Sequence, residues 1–241
     1  MSKIQEFEAR LLNIIPRGNC VQCHETCSFR FENPLDINFE PGQYFFVTIK
    51  NKDIKYRHHF SFSNSPTEKS YLEFTTKLRD SDFKNALCRL KKGDKVVIKG
   101  PVGDFTLDNS IDKIGMITGG IGETPLRSIC KYCTDAQLKN DIILLYGNHR
   151  EEDIAFRDDF SIMQNLNSNL KIVYALSEPS ESWNGYKGRI NLELIKKEIQ
   201  DYLKRFFYLS GPPGMVKAMD ALLLKLKVPK KQIKKELFPR Y

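Results

Sequence analysis

The stretch TGGIGETP at positions 118–125 decides the fold of this 241-residue chain. It follows a short apolar run at 114–117, and the apolar residues after it recur at helical spacing: Leu126, Ile129, Cys130 and Cys133. This pattern predicts a strand, a glycine turn and a helix, with Thr124 as N-cap and Pro125 as the first helical residue. Glycines let the backbone approach a ligand closely, and free N–H groups at a helix start attract a pyrophosphate. Taken alone, the stretch also fits an ordinary tight turn against a sheet.

The chain beyond about residue 112 alternates between predicted strands and helices. We expect strands at 114–118, 142–146, 171–176, 205–210 and 232–237, and helices at 125–134, 153–164, 191–203 and 213–226. A helix between successive strands implies right-handed crossovers and a parallel sheet. We therefore predict a five-stranded parallel α/β domain over residues 109–241.

The first part of the chain has a period-two pattern instead. Alternating runs such as 43–50, 71–77 and 95–99 are separated by turn signals, including Pro41-Gly42. Several short strands at this spacing predict a small antiparallel β-barrel, assigned to residues 1–108. One helix, at about 81–90 and capped by Ser81, interrupts the strands.

Composition limits the class of protein. A hydrophobic content of 41% and a charged content of 28% are typical of a globular protein with material for two cores. No apolar run approaches the roughly 20 residues of a membrane helix, so no membrane association is expected. The start MSKIQEFEARLL lacks the apolar core of a secretory signal, and we expect a cytoplasmic protein.

The net charge of +8 favours an acidic partner. No nucleic-acid-binding module accompanies the charge, so no nucleic-acid partner is predicted. The oligomeric state stays open.

The chain has six cysteines: Cys20, Cys23, Cys27, Cys88, Cys130 and Cys133. A disulfide framework is not expected in a chain of this length without an export signal. The run CVQCH at 20–24 matches a c-type haem attachment pattern. The first three cysteines with His24 also have the ligand types of a tetrahedral metal site. Ordinary structural cysteines are the simplest interpretation, so we predict no metal.

Five motifs occur in order: PGQY at 41–44, HHFSFSNSP at 58–66, TGGIGETP at 118–125, SGPPGM at 210–215 and ELFPRY at 236–241. Together they resemble the ferredoxin–NADP reductase superfamily over about residues 19–241. Members pair an FAD-binding β-barrel with an NAD(P)-binding α/β domain. The resemblance implies FAD and either NADH or NADPH as cofactors.

In the flavin half, the family pattern Arg-x-Tyr/Phe-Ser/Thr falls on His58-His59-Phe60-Ser61. The resemblance implies that Phe60 packs on the isoalloxazine and that Ser61 hydrogen-bonds near N5. His58 stands at the Arg position but lacks the fork that grips a phosphate. Arg57 is the nearest substitute, although it should point to the opposite strand face.

The resemblance places a second pyrophosphate contact at the start of the barrel helix. There the backbone N–H groups and the Lys84 ammonium are expected to bind phosphate oxygens. The residues expected at this contact are Ser81, Asp82, Phe83 and Lys84, and Thr76 is also expected to bind a cofactor.

In the nucleotide half, the resemblance assigns the NAD(P)H pyrophosphate to Gly119, Gly120 and Gly122, and the nicotinamide carboxamide to Thr124. Glu123 stands where relatives have an apolar residue and is expected to weaken coenzyme binding. The second turn is expected to contact the nicotinamide, with Ser210 in place of a common Cys. The residues of that turn are Ser210, Gly211, Pro212, Pro213 and Met215.

The end of the chain resembles the family's terminal Glu-x-aromatic. It implies that Glu236 joins Ser61 and Ser210 as catalytic residues, and that Phe238 or Tyr241 stacks on the flavin. Relatives that use NADPH have Ser-Arg where this chain has Ser177-Glu178. A carboxylate there repels a phosphate, so NADH is expected to be favoured.

The resemblance implies an FAD-dependent NAD(P)H oxidoreductase that passes electrons to a separate acidic carrier, such as a ferredoxin or a flavodoxin. A reductase of free flavin or ferric chelates is a second hypothesis. A non-catalytic nucleotide-sensing module with a degenerate flavin site is a third.

Overall fold

The structure is a computed structural model that describes residues 3–17, 26–51 and 54–238. Cys20, Cys23 and Tyr241, which carry predictions above, lie outside the described residues. The first half comprises β1 Gln5–Pro16, β2 Thr26–Glu32, β3 Tyr44–Asn51, β4 Ile54–Ser61, β5 Tyr71–Lys77, α1 Asp82–Cys88 and β6 Lys95–Val102. The second comprises β7 Lys113–Gly119, α2 Thr124–Asp135, β8 Asp141–Asn148, α3 Arg157–Leu166, β9 Leu170–Leu176, β10 Tyr186–Lys187, α4 Leu192–Glu198, β11 Phe206–Gly211, α5 Pro213–Lys225 and β12 Ile233–Leu237.

Strands β1–β6 form one antiparallel sheet in the order β4-β3-β6-β1-β2-β5. The sheet curls because its inward positions carry large apolar side chains, which close on one core. Its two edge strands approach where β4 ends, and there the Ser63 N–H donates to the Glu73 carbonyl at 2.9 Å. The predicted antiparallel barrel domain is confirmed as this curled, six-stranded sheet.

Strands β7–β12 form a parallel sheet in the order β10-β9-β8-β7-β11-β12. Helices α2 and α3 cover one face, and α4 and α5 cover the other, each over its own apolar cluster. All five predicted strands are present, but the predicted strand count is wrong by one. The sixth strand, β10, has only two residues, too few to produce a periodic pattern, and it pairs with the end of β9.

The strand order reverses at β7, because β8 lies on one side of it and β11 on the other. Such a reversal opens a crevice at the carboxyl ends of the strands, where open α/β sheets bind ligands. The turn TGGIGETP lies at this point.

The start of α2 differs from the prediction. A 3-10 turn at Gly120–Glu123 precedes the helix, so Glu123 is the N-cap and Pro125 is the second helical residue. The Thr124 hydroxyl donates back to the Ile121 carbonyl at 3.3 Å instead of capping the helix. The predicted apolar face of α2 is confirmed, because Leu126, Ile129, Cys130 and Cys133 are fully buried.

Other helices are shorter than predicted where 3-10 turns occupy one end. Such turns lie at Glu151–Asp153, before α3, and at Tyr202–Lys204, after α4. The predicted cap of α1 is confirmed, because the Ser81 hydroxyl accepts from the Lys84 N–H at 3.3 Å. Within the described ranges, the helices are too short or too polar to cross a membrane.

Candidate functional site

A cavity of about 200 Å³ lies between the end of β4 and the end of β12. It collects predicted site residues that are far apart in sequence, since Ser61 and Glu236 are 175 positions apart. Its lining residues are Tyr44, His59, Phe60, Ser61, Thr75, Ile121, Thr124, Glu236, Leu237 and Phe238. Aromatic rings and hydroxyl groups around one cavity suit a planar heteroaromatic ring.

Ser61 and Glu236 form a polar pair in this cavity. The Ser61 hydroxyl donates to Glu236 Oε2 at 3.3 Å. Burial raises the pKa of Glu236 to about 7, while the Ser61 bond lowers this pKa and the charge of Asp104 raises it. This carboxyl can therefore hold or release a proton near neutral pH.

The two faces of β4 separate the predicted flavin residues. His58 and Phe60 share one face with stacked rings at 4.9 Å, and Phe60 stacks on Phe74 at 4.1 Å. Arg57 lies on the other face with its guanidinium 4.2 Å from the Phe46 ring centroid. The structure therefore places Arg57 on the strand face opposite His58, as the alternation of side chains along a strand requires, and Arg57 does not line the cavity.

Lys84 lies beside the His58–Phe60 pair. Its ammonium hydrogen-bonds the Thr76 hydroxyl and lies 4.8 Å from the Phe60 ring centroid. Burial lowers the pKa of Lys84 to about 7. The ring of Phe83, also on α1, lies with its centroid 5.5 Å from the centroid of the His58 ring. A cation and a hydroxyl thus adjoin the position where His58 replaces the family Arg.

A second cavity, of about 840 Å³, lies at the carboxyl ends of β7, β8 and β9, beside the start of α5. Its volume is typical of a cofactor pocket. The predicted residues that line it are Gly119, Gly120, Ser177, Pro212 and Met215. Lining residues that the motif analysis did not assign to the site include Lys77, Arg79, Asn148 and His149. Asn148 and His149 had a usable signal, because they end or follow a parallel strand at the switch point.

The two glycine turns press against each other. A Cβ on Gly122 would lie 2.4 Å from the Gly211 Cα, so only glycine fits there. Ser210 is fully buried, and its hydroxyl donates to the Gly122 carbonyl at 2.6 Å. The Thr118 hydroxyl in turn donates to the Ser210 carbonyl at 2.9 Å. Ser210 therefore joins the two turns, a role that its motif did not reveal.

Gly120, unlike Gly122, has open space where a side chain would be. Its φ of +54° is in the left-handed region, and a Cβ there would have no atom within 4 Å. The backbone is therefore open toward the second cavity. This geometry suits the close approach of a pyrophosphate.

Glu123 is fully buried behind the first turn. Among the described residues, neither of its carboxyl oxygens has a hydrogen-bond partner, and the same holds for the Tyr146 hydroxyl and the Asn148 amide. Burial raises the pKa of Glu123 to about 8, although Tyr146 and the more distant Lys77 oppose the rise. At neutral pH most of this carboxyl is protonated, so the charge repulsion expected from the sequence is largely removed.

Glu178 is also less isolated than its sequence suggests. Its carboxylate lies 3.6 Å from Arg150 and 3.7 Å from His149. His149 is in turn hydrogen-bonded to the Ser177 hydroxyl at 3.0 Å. These neighbours reduce the repulsion that Glu178 exerts on a phosphate.

Comparisons with known proteins match one domain family to each half of the chain. An oxidoreductase FAD-binding domain model matches residues 19–107, and an oxidoreductase NAD-binding domain model matches residues 116–221. NADH-cytochrome b5 reductase 1 of Aspergillus terreus is 31% identical over 210 residues, which cover 81% of this chain and 71% of the relative. The chain belongs to the ferredoxin–NADP reductase-like superfamily. The predicted cofactors, FAD and a pyridine nucleotide, are those of its two domains.

Other relatives of this superfamily member are longer. The glycine betaine monooxygenase reductase subunit of Chromohalobacter salexigens is 28% identical over 205 residues, 82% of this chain and 55% of the relative. The chain thus spans about half the length of that protein. A solved structure of an Amycolatopsis cytochrome P450 reductase has the same fold, with a TM-score of 0.85 and 21% identity over 99% of this chain and 71% of that one.

Proposed function

We propose that the protein is an FAD-dependent NAD(P)H oxidoreductase that passes electrons from a nicotinamide coenzyme to a separate electron carrier. The observation that carries the proposal is the small cavity that joins Ser61 and Phe60 of the FAD-binding domain to Thr124 and Glu236 of the NAD-binding domain. When bound, FAD accepts two electrons and a proton as hydride from the nicotinamide and passes the electrons on.

Residues in and beside the two cavities suit distinct tasks in this reaction. Phe60 bounds the ring site, and Ser61 with Glu236 holds a proton at its edge. Lys84 and Thr76 are suited to a flavin phosphate, because a charge-assisted hydrogen bond replaces what His58 cannot supply. Gly119 and Gly120 present backbone N–H groups to the dinucleotide.

NADH is the coenzyme that we propose as preferred. Glu178 adjoins Ser177 in the second cavity and disfavours a 2′-phosphate, although the Arg150 guanidinium beside it weakens that effect. Several relatives are named as NADH-dependent reductases. Localisation in the cytoplasm stays a prediction.

An acidic electron-carrier protein is the partner that we propose. Two relatives are named as reductase subunits, of a glycine betaine monooxygenase and of a stachydrine N-demethylase, which supports transfer to another protein component. The net charge of +8 supports an acidic partner, such as a ferredoxin or a flavodoxin.

The test compares electron acceptors with the FAD-loaded chain. NADH oxidation is followed with a ferredoxin, a flavodoxin, free flavin or a ferric chelate as acceptor. The proposal predicts the fastest turnover with a protein carrier. Faster turnover with free flavin or ferric chelate would favour the second hypothesis. A chain that binds neither flavin nor dinucleotide would favour the nucleotide-sensing hypothesis, or a purely structural role.

A further inference from the structure

Arg127, on α2, is a buried cation that joins three parts of the molecule. Its side chain donates to the Ser63 carbonyl at 3.0 Å and to Glu68 at 2.5 Å, both in the loop between β4 and β5. It also donates to Asp159 of α3 at 2.7 Å. Arg127 is only 3% exposed, and its bond to Ser63 is buried, whereas the carboxylates of Glu68 and Asp159 are partly exposed. We call Arg127, Ser63, Glu68 and Asp159 the Arg127 network.

The network lies next to both sides of the small cavity. Ser63 follows Ser61 by two residues, and Arg127 follows Thr124 by three, about one turn of α2. Ser61 and Thr124 both line the cavity, one from each domain. The guanidinium therefore links the two chain segments that carry Ser61 and Thr124 to the cavity.

Further bonds between α2 and the same loop stiffen this connection. The Ser128 hydroxyl donates to the Asn64 carbonyl at 2.7 Å, and the Thr67 hydroxyl donates to Asp135. Glu68 is fixed from its own loop by the Ser65 N–H at 2.8 Å. The carboxylate that receives Arg127 is therefore itself held in place.

We propose that Arg127 is a positioning residue for hydride transfer, because it sets the distance and angle between the flavin-binding and nicotinamide-binding sides of the cavity. This inference rests on the proposed function. It concerns the rate of the step and not the binding of either cofactor, since the Arg127 network lines neither cavity.

The substitution Arg127→Lys tests this role. Lysine keeps the positive charge, but its ammonium cannot reproduce the planar fork that reaches Ser63, Glu68 and Asp159 together. A displacement of about 1 Å between reacting groups can cost about 100-fold in rate. Arg127→Lys should therefore lower the rate of flavin reduction while the charge balance is preserved.

Arg205 offers a matched control. It is also 3% exposed, and it also bonds two carboxylates, Asp201 and Asp141, together with the backbone carbonyls of Ile114 and Asp141. These bonds lie at the starts of β7, β8 and β11, the end of the sheet opposite the cavities. Arg205→Lys thus reports the cost of disturbing a buried arginine without disturbing the cavity.

The experiment is anaerobic stopped-flow reduction of the FAD-loaded chain by NADH, with the limiting rate and the dissociation constant of NADH fitted separately. For Arg127→Lys we expect a limiting rate lower by about 10- to 100-fold, a weaker charge-transfer absorbance, and full FAD occupancy. Arg205→Lys should keep the wild-type rate. Equal rates in the two variants would overturn the inference, as would a loss confined to NADH affinity.

Glu68→Gln is the second variant if Arg127→Lys does not fold. It keeps the shape of the loop side chain but removes the charge that orients Arg127, so it should lower the limiting rate in the same sense. A wild-type rate in folded Glu68→Gln would overturn the inference. If the wild-type chain takes up no FAD, the proposed function and this inference are both overturned. If the wild-type chain is reduced at a normal rate and the variants are not slower, only this inference is overturned.

Discussion

At the scale of single residues, the buried acid Glu123 sets a pH dependence of stability. Its pKa is about 8 in the folded protein against an ordinary value of 4.5. Between these values the folded state binds more protons than the unfolded state, so stability falls as pH rises through this range. The loss is at most about 1.4 kcal/mol per pH unit.

Glu123→Gln should remove this pH dependence, because the amide stays uncharged. We expect the variant to gain stability relative to wild type steadily from about pH 5 to about pH 8. Thermal unfolding across that range measures the difference. Glu193→Gln, at an exposed position, is the control and should leave the wild-type profile unchanged. A constant difference between Glu123→Gln and wild type would show that Glu123 is ionised throughout.

Ser61→Ala tests the proton-holding pair. Removal of the hydroxyl takes away the bond that lowers the pKa of Glu236, so that pKa should rise further above about 7. The pH profile of flavin reduction by NADH should then move to higher pH, by up to about one unit. A profile that does not move would mean that Glu236 does not control the rate.

The structure brings some of the residues that the motifs singled out to one cavity, and it gives others a contact that the motifs did not indicate. Ser61, Thr124 and Glu236 line one cavity as the motif order suggested. The hydroxyl of Ser210 is instead used by the Gly122 carbonyl, because the two turns pack more closely than either motif implies. A bond between turns 88 positions apart leaves no local signal.

At the scale of elements, the contact between the two glycine turns is the most restrictive feature. Gly122→Ala would place a Cβ against the Gly211 backbone, which cannot move without shifting β11. Overpacking of this kind costs about 1–3 kcal/mol or more. We expect a lower Tm and weaker NAD⁺ binding, measured by thermal unfolding and calorimetry.

Gly214→Ala is the matched control for the change in Tm only, because Gly214 also lines the second cavity. Gly214 lies within α5, and a Cβ there has no atom within 4 Å. Alanine should be neutral or should stabilise the helix by up to about 1 kcal/mol. If Gly122→Ala were equally tolerated, the close packing of the two turns would be contradicted.

Element type was predictable wherever the period was long enough. The five longer strands of the parallel sheet follow from short apolar runs separated by helical segments, and the apolar face of α2 follows from helical spacing. The 3-10 turns at Gly120–Glu123 and Glu151–Asp153 span three or four residues. They shift the helix starts without altering the periodic pattern, so sequence could not locate them.

At the scale of the whole molecule, the division into two sheets was predictable, and the contacts between them were not. The Arg127 network joins residues 59 and 32 positions apart, through polar side chains that read as ordinary surface charges in the sequence. The Arg127 side chain is buried because α2 packs against the barrel loop. The dependence of the site on this interface therefore appears only in three dimensions.

The net charge of +8 predicts electrostatically steered association with an acidic carrier. Electron transfer to a ferredoxin or a flavodoxin should slow markedly as salt is raised, because screening acts over about 8–10 Å near physiological ionic strength. Four lysines lie close together near the end of the sequence: Lys230, Lys231, Lys234 and Lys235. Lys230 and Lys231 are exposed, whereas Lys235 pairs with Asp220 at 2.8 Å.

Reversal of Lys230 and Lys231 to Glu should therefore slow the transfer at low salt. Lys91 and Lys92, an exposed pair in the barrel domain, provide the matched control reversal. An equal loss in both double variants would mean that net charge, and not this face, steers the partner. A rate that salt does not change would exclude steering altogether.

The central claim is that one chain holds both cofactors with their rings at a shared cavity. Anaerobic mixing of the FAD-loaded chain with one equivalent of NADH, while flavin absorbance is recorded, tests it most directly. We predict stoichiometric FAD binding and loss of the oxidised flavin band on a single addition of NADH, faster than with NADPH. A chain that binds FAD but is not reduced by either coenzyme, or that binds no FAD, would contradict the account.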